Sequence, residues 1–186
     1  MRETNESALI ARCQKGDRLA FEELIRRYMD KVYYLAYSVV KNHQDADDIL
    51  QESFIRVYKS IKKFKERERF YPWLYRIVVN QAKSYLKKRE QSFHYSSEER
   101  MVESAEVDER DIPVDILEEK ELRQKINKAV DSLPPQQRLA IRLFEVEGLS
   151  MKETAEVLNC RVGTVKSHLH RARWALREKL KDVTKR

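Results

Sequence analysis

Between Gly148 and Leu180 the chain reads as two short helices sharing a tight corner. Ser150-Met151-Lys152-Glu153 puts a hydroxyl three residues ahead of a carboxylate, the capping-box spacing that starts a helix near Met151. That helix is expected to reach about Leu158. Asn159, Cys160 and Arg161 make the corner, and a longer helix follows from about Val162. In it Val162, Val165, Leu169, Ala172, Leu176 and Leu180 recur at helical steps and form one apolar stripe. At about 100° per residue, the opposite face carries Thr164, Lys166, Ser167, His170, Arg171, Trp174 and Arg177, with Arg173 at its edge. A helix docked by one stripe and presenting cations and small hydrogen-bonding groups on the other suits the major groove of duplex DNA. A solvated basic face on an ordinary helical hairpin carries similar charges. The cap, the short first helix, the small Ala155 and Gly163 near the expected crossing, and the sidedness together favour a DNA-binding helix-turn-helix.

The rest of the sequence points to an all-α protein. Three Gly and four Pro in 186 residues leave little material for hairpins, while 37% charged and 41% hydrophobic residues suit small amphipathic bundles. No apolar run approaches membrane-spanning length, and Met1-Arg2-Glu3-Thr4-Asn5-Glu6 lacks the apolar core of a secretory signal, so a cytoplasmic protein is expected. Cys13 and Cys160 have no metal-type spacing. The histidines are His43, His94, His168 and His170, and no Gly-rich phosphate loop, zinc spacing or nucleophile elbow accompanies them. Neither an enzyme nor a metal or cofactor site is expected.

Charge is segregated along the chain. Between Gln91 and Lys120 ten acidic residues face three basic ones, a net −7, which leaves +14 on the remainder of a chain whose total is +7. Residues 91–116 also have weak periodicity, several Ser and Pro113, and read as an irregular acidic linker between a helical domain at 1–90 and a smaller one at 117–186. Two basic bodies on an acidic strap suit a long polyanion held at two places.

The first domain parses into an opening helix, Glu6–Lys15, closed by Gly16, and three longer ones. Asp17 caps a helix whose stripe is Phe21, Leu24, Ile25, Tyr28, Val32, Leu35, Ala36 and Val39. Asp45 is expected to cap the next, with Ile49, Leu50, Phe54, Val57, Tyr58 and Ile61 inward. On that helix Asp48, Gln51, Glu52 and Arg56 lie along one exposed ridge, which could meet a complementary surface or could simply reflect carboxylates favoured in a first turn. A basic loop, Lys62–Arg69, leads to a helix opened by Pro72 and ending at Lys87-Lys88-Arg89. This helix interleaves Tyr71, Trp73, Tyr75 and Tyr85 with Arg76, Asn80, Lys83 and Lys87; such a mixture suits stacking on unpaired bases, although Trp73 and Tyr85 fall near the apolar stripe and equally suit a core. In the second domain a helix from Leu117 to Val130 stops at Leu133-Pro134-Pro135, and Gln136–Glu147 forms another.

Four blocks in order carry a resemblance over nearly the whole length. They are Asp48-Ile49-Leu50-Gln51-Glu52-Ser53-Phe54-Ile55-Arg56-Val57-Tyr58, Trp73-Leu74-Tyr75-Arg76-Ile77-Val78-Val79-Asn80, Ser132-Leu133-Pro134, and Val162 through Arg173. With the acidic linker they resemble the extracytoplasmic-function (ECF) sigma factors of bacterial RNA polymerase. The resemblance implies that Asp48, Gln51, Glu52 and Arg56 contact core polymerase. It implies that Lys62, Lys63, Tyr71, Trp73, Tyr75, Arg76, Asn80, Lys83 and Lys87 open and hold the minus-ten promoter element, with Asn80 near a flipped base. Thr164, Lys166, Ser167, His170, Arg171, Arg173 and Arg177 would meet the minus-thirty-five element. An anti-sigma protein is the implied regulator. The sequence departs from the family at Tyr71-Pro72, before the Trp-Leu pair, and at His168 and His170. Two other readings compete: a stand-alone regulator using the helix-turn-helix only, and a recombinase with Tyr95 or Ser96 as nucleophile.

Overall fold

The computed structural model describes residues 2–65, 69–93 and 117–181. The expected linker therefore lies outside the described residues from 94 to 116, as do Tyr95, Ser96 and residues 66–68 of the basic loop. The described residues contain helices and no strand, in two compact units that divide between Glu103 and Ser104.

In the first unit α1 (Arg2–Gln14), α2 (Arg18–Val40), α3 (His43–Ser60) and α4 (Phe70–Phe93) pack around α2, which touches the other three. Gly16, at φ +85°, ends α1. The Asp17 amide reaches back to the Arg12 carbonyl at 3.2 Å and the Gly16 amide to Cys13 at 3.0 Å, the paired closure a left-handed glycine permits. Asp17 then caps α2, accepting from the Ala20 amide at 3.1 Å. That hydrogen bond, followed by the Arg12 guanidinium, holds the Asp17 carboxyl below its ordinary pKa; the cap is complete at neutral pH and is lost only as pH falls through the lowered value.

The core of this unit comes from Leu24, Tyr28, Val32, Leu35 and Ala36 of α2, Ile49, Phe54 and Val57 of α3, and Leu74, Tyr75, Val78, Val79 and Ala82 of α4. Each fully buried Leu or Val contributes roughly 1.5–3 kcal/mol. Several boundaries differ from the sequence reading, and α1 starts at Arg2 rather than Glu6. α3 is capped by Asn42, whose side chain accepts from the Asp45 amide at 2.9 Å, so Asp45 supplies only the amide. α4 begins at Phe70, not Pro72, because Phe70 is buried and draws the first turn inward; Pro72 sits in that turn, where a missing N–H costs no helical bond. It also runs on to Phe93. Leu50 is half-buried and Tyr58 exposed, the latter leaning edge-on against Phe21 at 5.0 Å.

In the second unit α5 (Leu117–Asp131) and α6 (Pro135–Ile141) precede a π-helical segment, Arg142–Val146, and then α7 (Met151–Leu158) and α8 (Val162–Lys179). Buried Arg138 donates to the Asp131 carbonyl at 2.7 Å, putting a cation at the C-terminal end of α5. The capping box forms as the sequence predicts: Glu153 N donates to Ser150 Oγ at 3.2 Å, and Ser150 N to Glu153 Oε2 at 2.7 Å. Asn159, at φ 55°, turns the chain into α8. Gly163 is exposed, and a side chain there would meet nothing within 4 Å of its Cβ, so it marks no close crossing.

Two substitutions test this local chemistry. Ser150→Ala removes one half of the box and is expected to cost about 1 kcal/mol, a fall of roughly 4–8 °C in the melting of the second unit by calorimetry. Gly163→Ala adds a methyl group in open space and is expected to stabilise by about 0.5–1 kcal/mol.

Candidate nucleic-acid interface

α8 is fixed in rotation by Val165, Leu169 and Ala172, all buried against α6 and α7. Its other side presents Thr164, Lys166, Ser167, His170, Arg171, Arg173 and Arg177 to solvent, every one of them exposed. Ser167 Oγ donates to the Gly163 carbonyl at 3.1 Å. Arg173 is held from outside the helix: its Nε and Nη2 fork onto Glu145 Oε1 at 2.9 and 2.5 Å, and its guanidinium lies 5.9 Å from the centre of the Phe144 ring. The π-helical segment thus aims one cation of the face. Trp174, 65% exposed, stands among His170, Arg173 and Arg177 beside a shallow groove floored by Met151 and Leu169.

The second candidate face lies on the first unit. Lys62 and Lys63 are exposed in a 3-10 turn, Ile61–Lys63, that α1 pins down: Gln14 Nε2 donates to the Ile61 and Phe64 carbonyls at 3.0 and 2.9 Å. α4 follows, and Arg76, Asn80, Lys83 and Lys87 recur along it at intervals of four, three and four. Asn80 and Lys87 are exposed; Arg76 and Lys83 are half-buried. Tyr71 is half-buried, its ring edge-on to Tyr28 at 4.8 Å and its hydroxyl 2.7 Å from Lys31 Nζ. Trp73 packs its half-buried ring against Phe64 and Phe70 at 5.1 and 5.6 Å.

Tyr75 is a correction. It is fully enclosed, because α4 touches both α2 and α3 and buries two neighbouring columns of side chains, so it has no surface to offer a base. Tyr85, which the sequence leaves between a stacking and a core role, is half-buried: its hydroxyl donates to Asp45 Oδ1 at 2.6 Å, with Arg89 Nη1 on Asp45 Oδ2 at 2.9 Å. Gln14, Lys31, Asp45 and Glu145 escape a reading of the sequence, since each acts on a partner 28 or more residues away.

The ridge on α3 is where periodicity puts it. Asp48, Gln51, Glu52 and Arg56 are all exposed, opposite buried Ile49, Ser53 and Val57. Among the described residues no group of His, Cys, Asp or Glu could hold a metal ion, and no helix is long and apolar enough to cross a membrane.

Comparison with known proteins gives these surfaces a family. Residues 24–92 match Sigma-70 region 2 and residues 123–176 match Sigma-70 region 4. The ECF RNA polymerase sigma-E factors of Salmonella typhimurium strain LT2 and Escherichia coli K12 are each 38% identical over 97% of both chains. The chain is an ECF sigma factor. The fold agrees: the sigma factor RpoE of Bartonella quintana, solved with the anti-sigma factor NepR, superposes with a TM-score of 0.72 at 26% identity, over 87% of this chain and 96% of its own. CnrH, solved with the cytosolic domain of CnrY, shares the fold with a TM-score of 0.62 at 24% identity, over 94% and 96%. A sigma factor is a transcription-initiation subunit, not an enzyme: it directs core RNA polymerase to promoters.

The Asp45 bond has a consequence at high pH. Its acceptance of the phenol proton, followed by burial, pushes Tyr85 up to about 12. A pKa raised in the folded state means a contribution present below pH about 10 and lost between about 10 and 12. In an ultraviolet titration Tyr85→Phe is expected to remove one tyrosine from the latest ionising phase; an unchanged late phase would contradict the bond.

Proposed function

We infer that this sigma factor divides promoter recognition between its two units. In this reading residues 1–90 bind core polymerase and the minus-ten element, residues 117–186 bind the minus-thirty-five element, and 91–116 join them as an acidic linker. Thr164, Lys166, Ser167, His170, Arg171, Arg173 and Arg177 meet duplex DNA. Lys62, Lys63, Tyr71, Trp73, Arg76, Asn80, Lys83 and Lys87 hold the separated non-template strand, and Asp48, Gln51, Glu52 and Arg56 meet the polymerase. The observation that supports it best is that each proposed DNA helix buries one side and carries a row of polar and cationic side chains on the other.

The physics of the mechanism follows. Flipping a base costs a few kcal/mol of stacking, offset by pocket contacts such as an amide on the base edge. In this reading the exposed Asn80 supplies the amide, with the half-buried Trp73 and Tyr71 at the start of the same helix. Cationic side chains add affinity without sequence information, and the recognition helix adds register on the duplex. Melting then needs no nucleotide hydrolysis. The factor works in the cytoplasm, where the polymerase is, and a separate anti-sigma protein holds it inactive, a reading supported by the solved complex of RpoE with the anti-sigma factor NepR.

Run-off transcription with purified core enzyme tests the reading: product is expected only when factor and core are combined on a host promoter, and its absence from every host promoter overturns it. Within that assay Arg171→Ala is expected to cost about 1–3 kcal/mol of upstream-duplex affinity, while Glu52→Lys is expected to weaken core association and leave the chain folded. Tight operator binding without core would instead favour a stand-alone regulator.

A further inference from the structure

Asp45 lies in the first turn of α3, three residues before Asp48, and spends its carboxylate inside the first unit. Oδ1 accepts the Tyr85 hydroxyl at 2.6 Å and Oδ2 accepts Arg89 Nη1 at 2.9 Å, with only 15% of the Asp45 side chain exposed. Tyr85 and Arg89 are one helical turn apart on α4, and at about 100° per residue they prolong the inward column of Leu74, Val78 and Ala82. Apolar burial thins by then: Leu86 is half-buried, and among the described side chains of α4 none beyond Ala82 is fully buried. The helix nevertheless continues to Phe93. Leu86, half-buried, holds those turns only loosely, whereas the Asp45 contacts are polar and directional and can set their rotation.

On the other side of those turns stand Lys83 and Lys87. A rotation of α4 by one residue would swing both away by about 100°. Asp45 also removes Arg89 from the cations facing outward, since a partly buried carboxylate would be left uncompensated if Arg89 turned away. The same carboxylate belongs to the helix that carries Asp48, Gln51, Glu52 and Arg56.

We propose that Asp45 is a positioning residue for strand capture: through Tyr85 and Arg89 it fixes the last turns of α4 on α3, so that Lys83 and Lys87 hold non-template phosphates in register with the polymerase-binding helix. The inference rests on the assignment of α4 to the separated strand, and it adds a residue that touches neither DNA nor polymerase.

The test uses holoenzyme assembled with Asp45→Asn, Arg89→Gln, the double variant and Arg89→Lys. Two quantities are measured: affinity for core enzyme, and binding of a single-stranded non-template oligonucleotide spanning the minus-ten element across a salt series. Core affinity is expected to stay within about twofold of wild type. Strand binding is expected to fall about 10-fold in either single variant and no further in the double, because both break the same Asp45–Arg89 ion pair while the amide oxygen of Asp45→Asn still accepts from Tyr85. The slope of log affinity on log salt is expected to shrink by about 0.7 for each phosphate that the lysines no longer hold, which a merely destabilised protein would not show. Arg89→Lys, which keeps the charge, is expected to restore most of the binding. Unchanged strand affinity and slope in Asp45→Asn, or additive losses in the double variant, overturn the proposal. A Lys83→Gln and Lys87→Gln holoenzyme separates the two claims. Wild-type strand binding by it means that the assignment of α4 itself fails; weakened binding beside an unaffected Asp45→Asn means that the positioning role alone fails.

Discussion

Rotation of a helix about its own axis is the quantity this protein has to control, and apolar burial controls it. Val165, Leu169 and Ala172 leave α8 one way to sit; Leu74, Val78 and Ala82 do the same for most of α4. Cations then end up outward because there is nowhere else to put them at tolerable cost. Where the apolar stripe gives out, polar contacts take over: Asp45 at the end of α4, Glu145 beside Arg173, and Gln14 under the turn that carries Lys62 and Lys63. These polar contacts sit at the margins of the charged faces. The aliphatic ones sit behind them.

This division of labour suits a subunit that must be specific without being sticky. A strongly basic chain binds any DNA, and its affinity falls steeply with salt. Here part of the positive charge is committed internally. Arg89 is paired with Asp45 and Arg138 caps α5 from a buried position, whereas the exposed pair of Arg173 with Glu145 aims its cation without withdrawing it. What remains outward is arranged in rows on single helix faces, and in the reading proposed above useful affinity comes only when both units meet one promoter. Core polymerase supplies that presentation in the family to which the chain belongs.

The helix-turn-helix is legible in the sequence because its signals are local. The hydroxyl and carboxylate of Ser150 and Glu153, the turn residue Asn159 and the stripe through Val165 and Leu169 lie within a few residues of what they determine. The same holds for Gly16 and Asp17 between α1 and α2. Errors arise where a residue answers to something distant. Tyr75 reads as an outward aromatic until α4 is known to lie against two helices at once, which widens its buried arc to include Tyr75, Val79 and Ala82. Asp45 reads as a cap because caps are local, whereas its partners are 40 and 44 residues on. Gly163 suggests close packing by its size, yet in α8 it faces open space. The outward positions fare better, because periodicity alone separates a ridge such as Asp48, Gln51, Glu52 and Arg56 from the buried column behind it.

The central claim is that two helices of one chain read two separate parts of a promoter, one melted and one duplex, when the polymerase holds them. Photo-crosslinking from single probes at Asn80 and at Arg171, in holoenzyme stalled at a host promoter, tests it most directly. The account predicts that the Asn80 probe marks the non-template strand within the melted minus-ten region and the Arg171 probe marks duplex DNA at the minus-thirty-five element, each only when core enzyme is present. Both probes marking the same stretch of DNA, or either marking promoter DNA equally well without core enzyme, would contradict it.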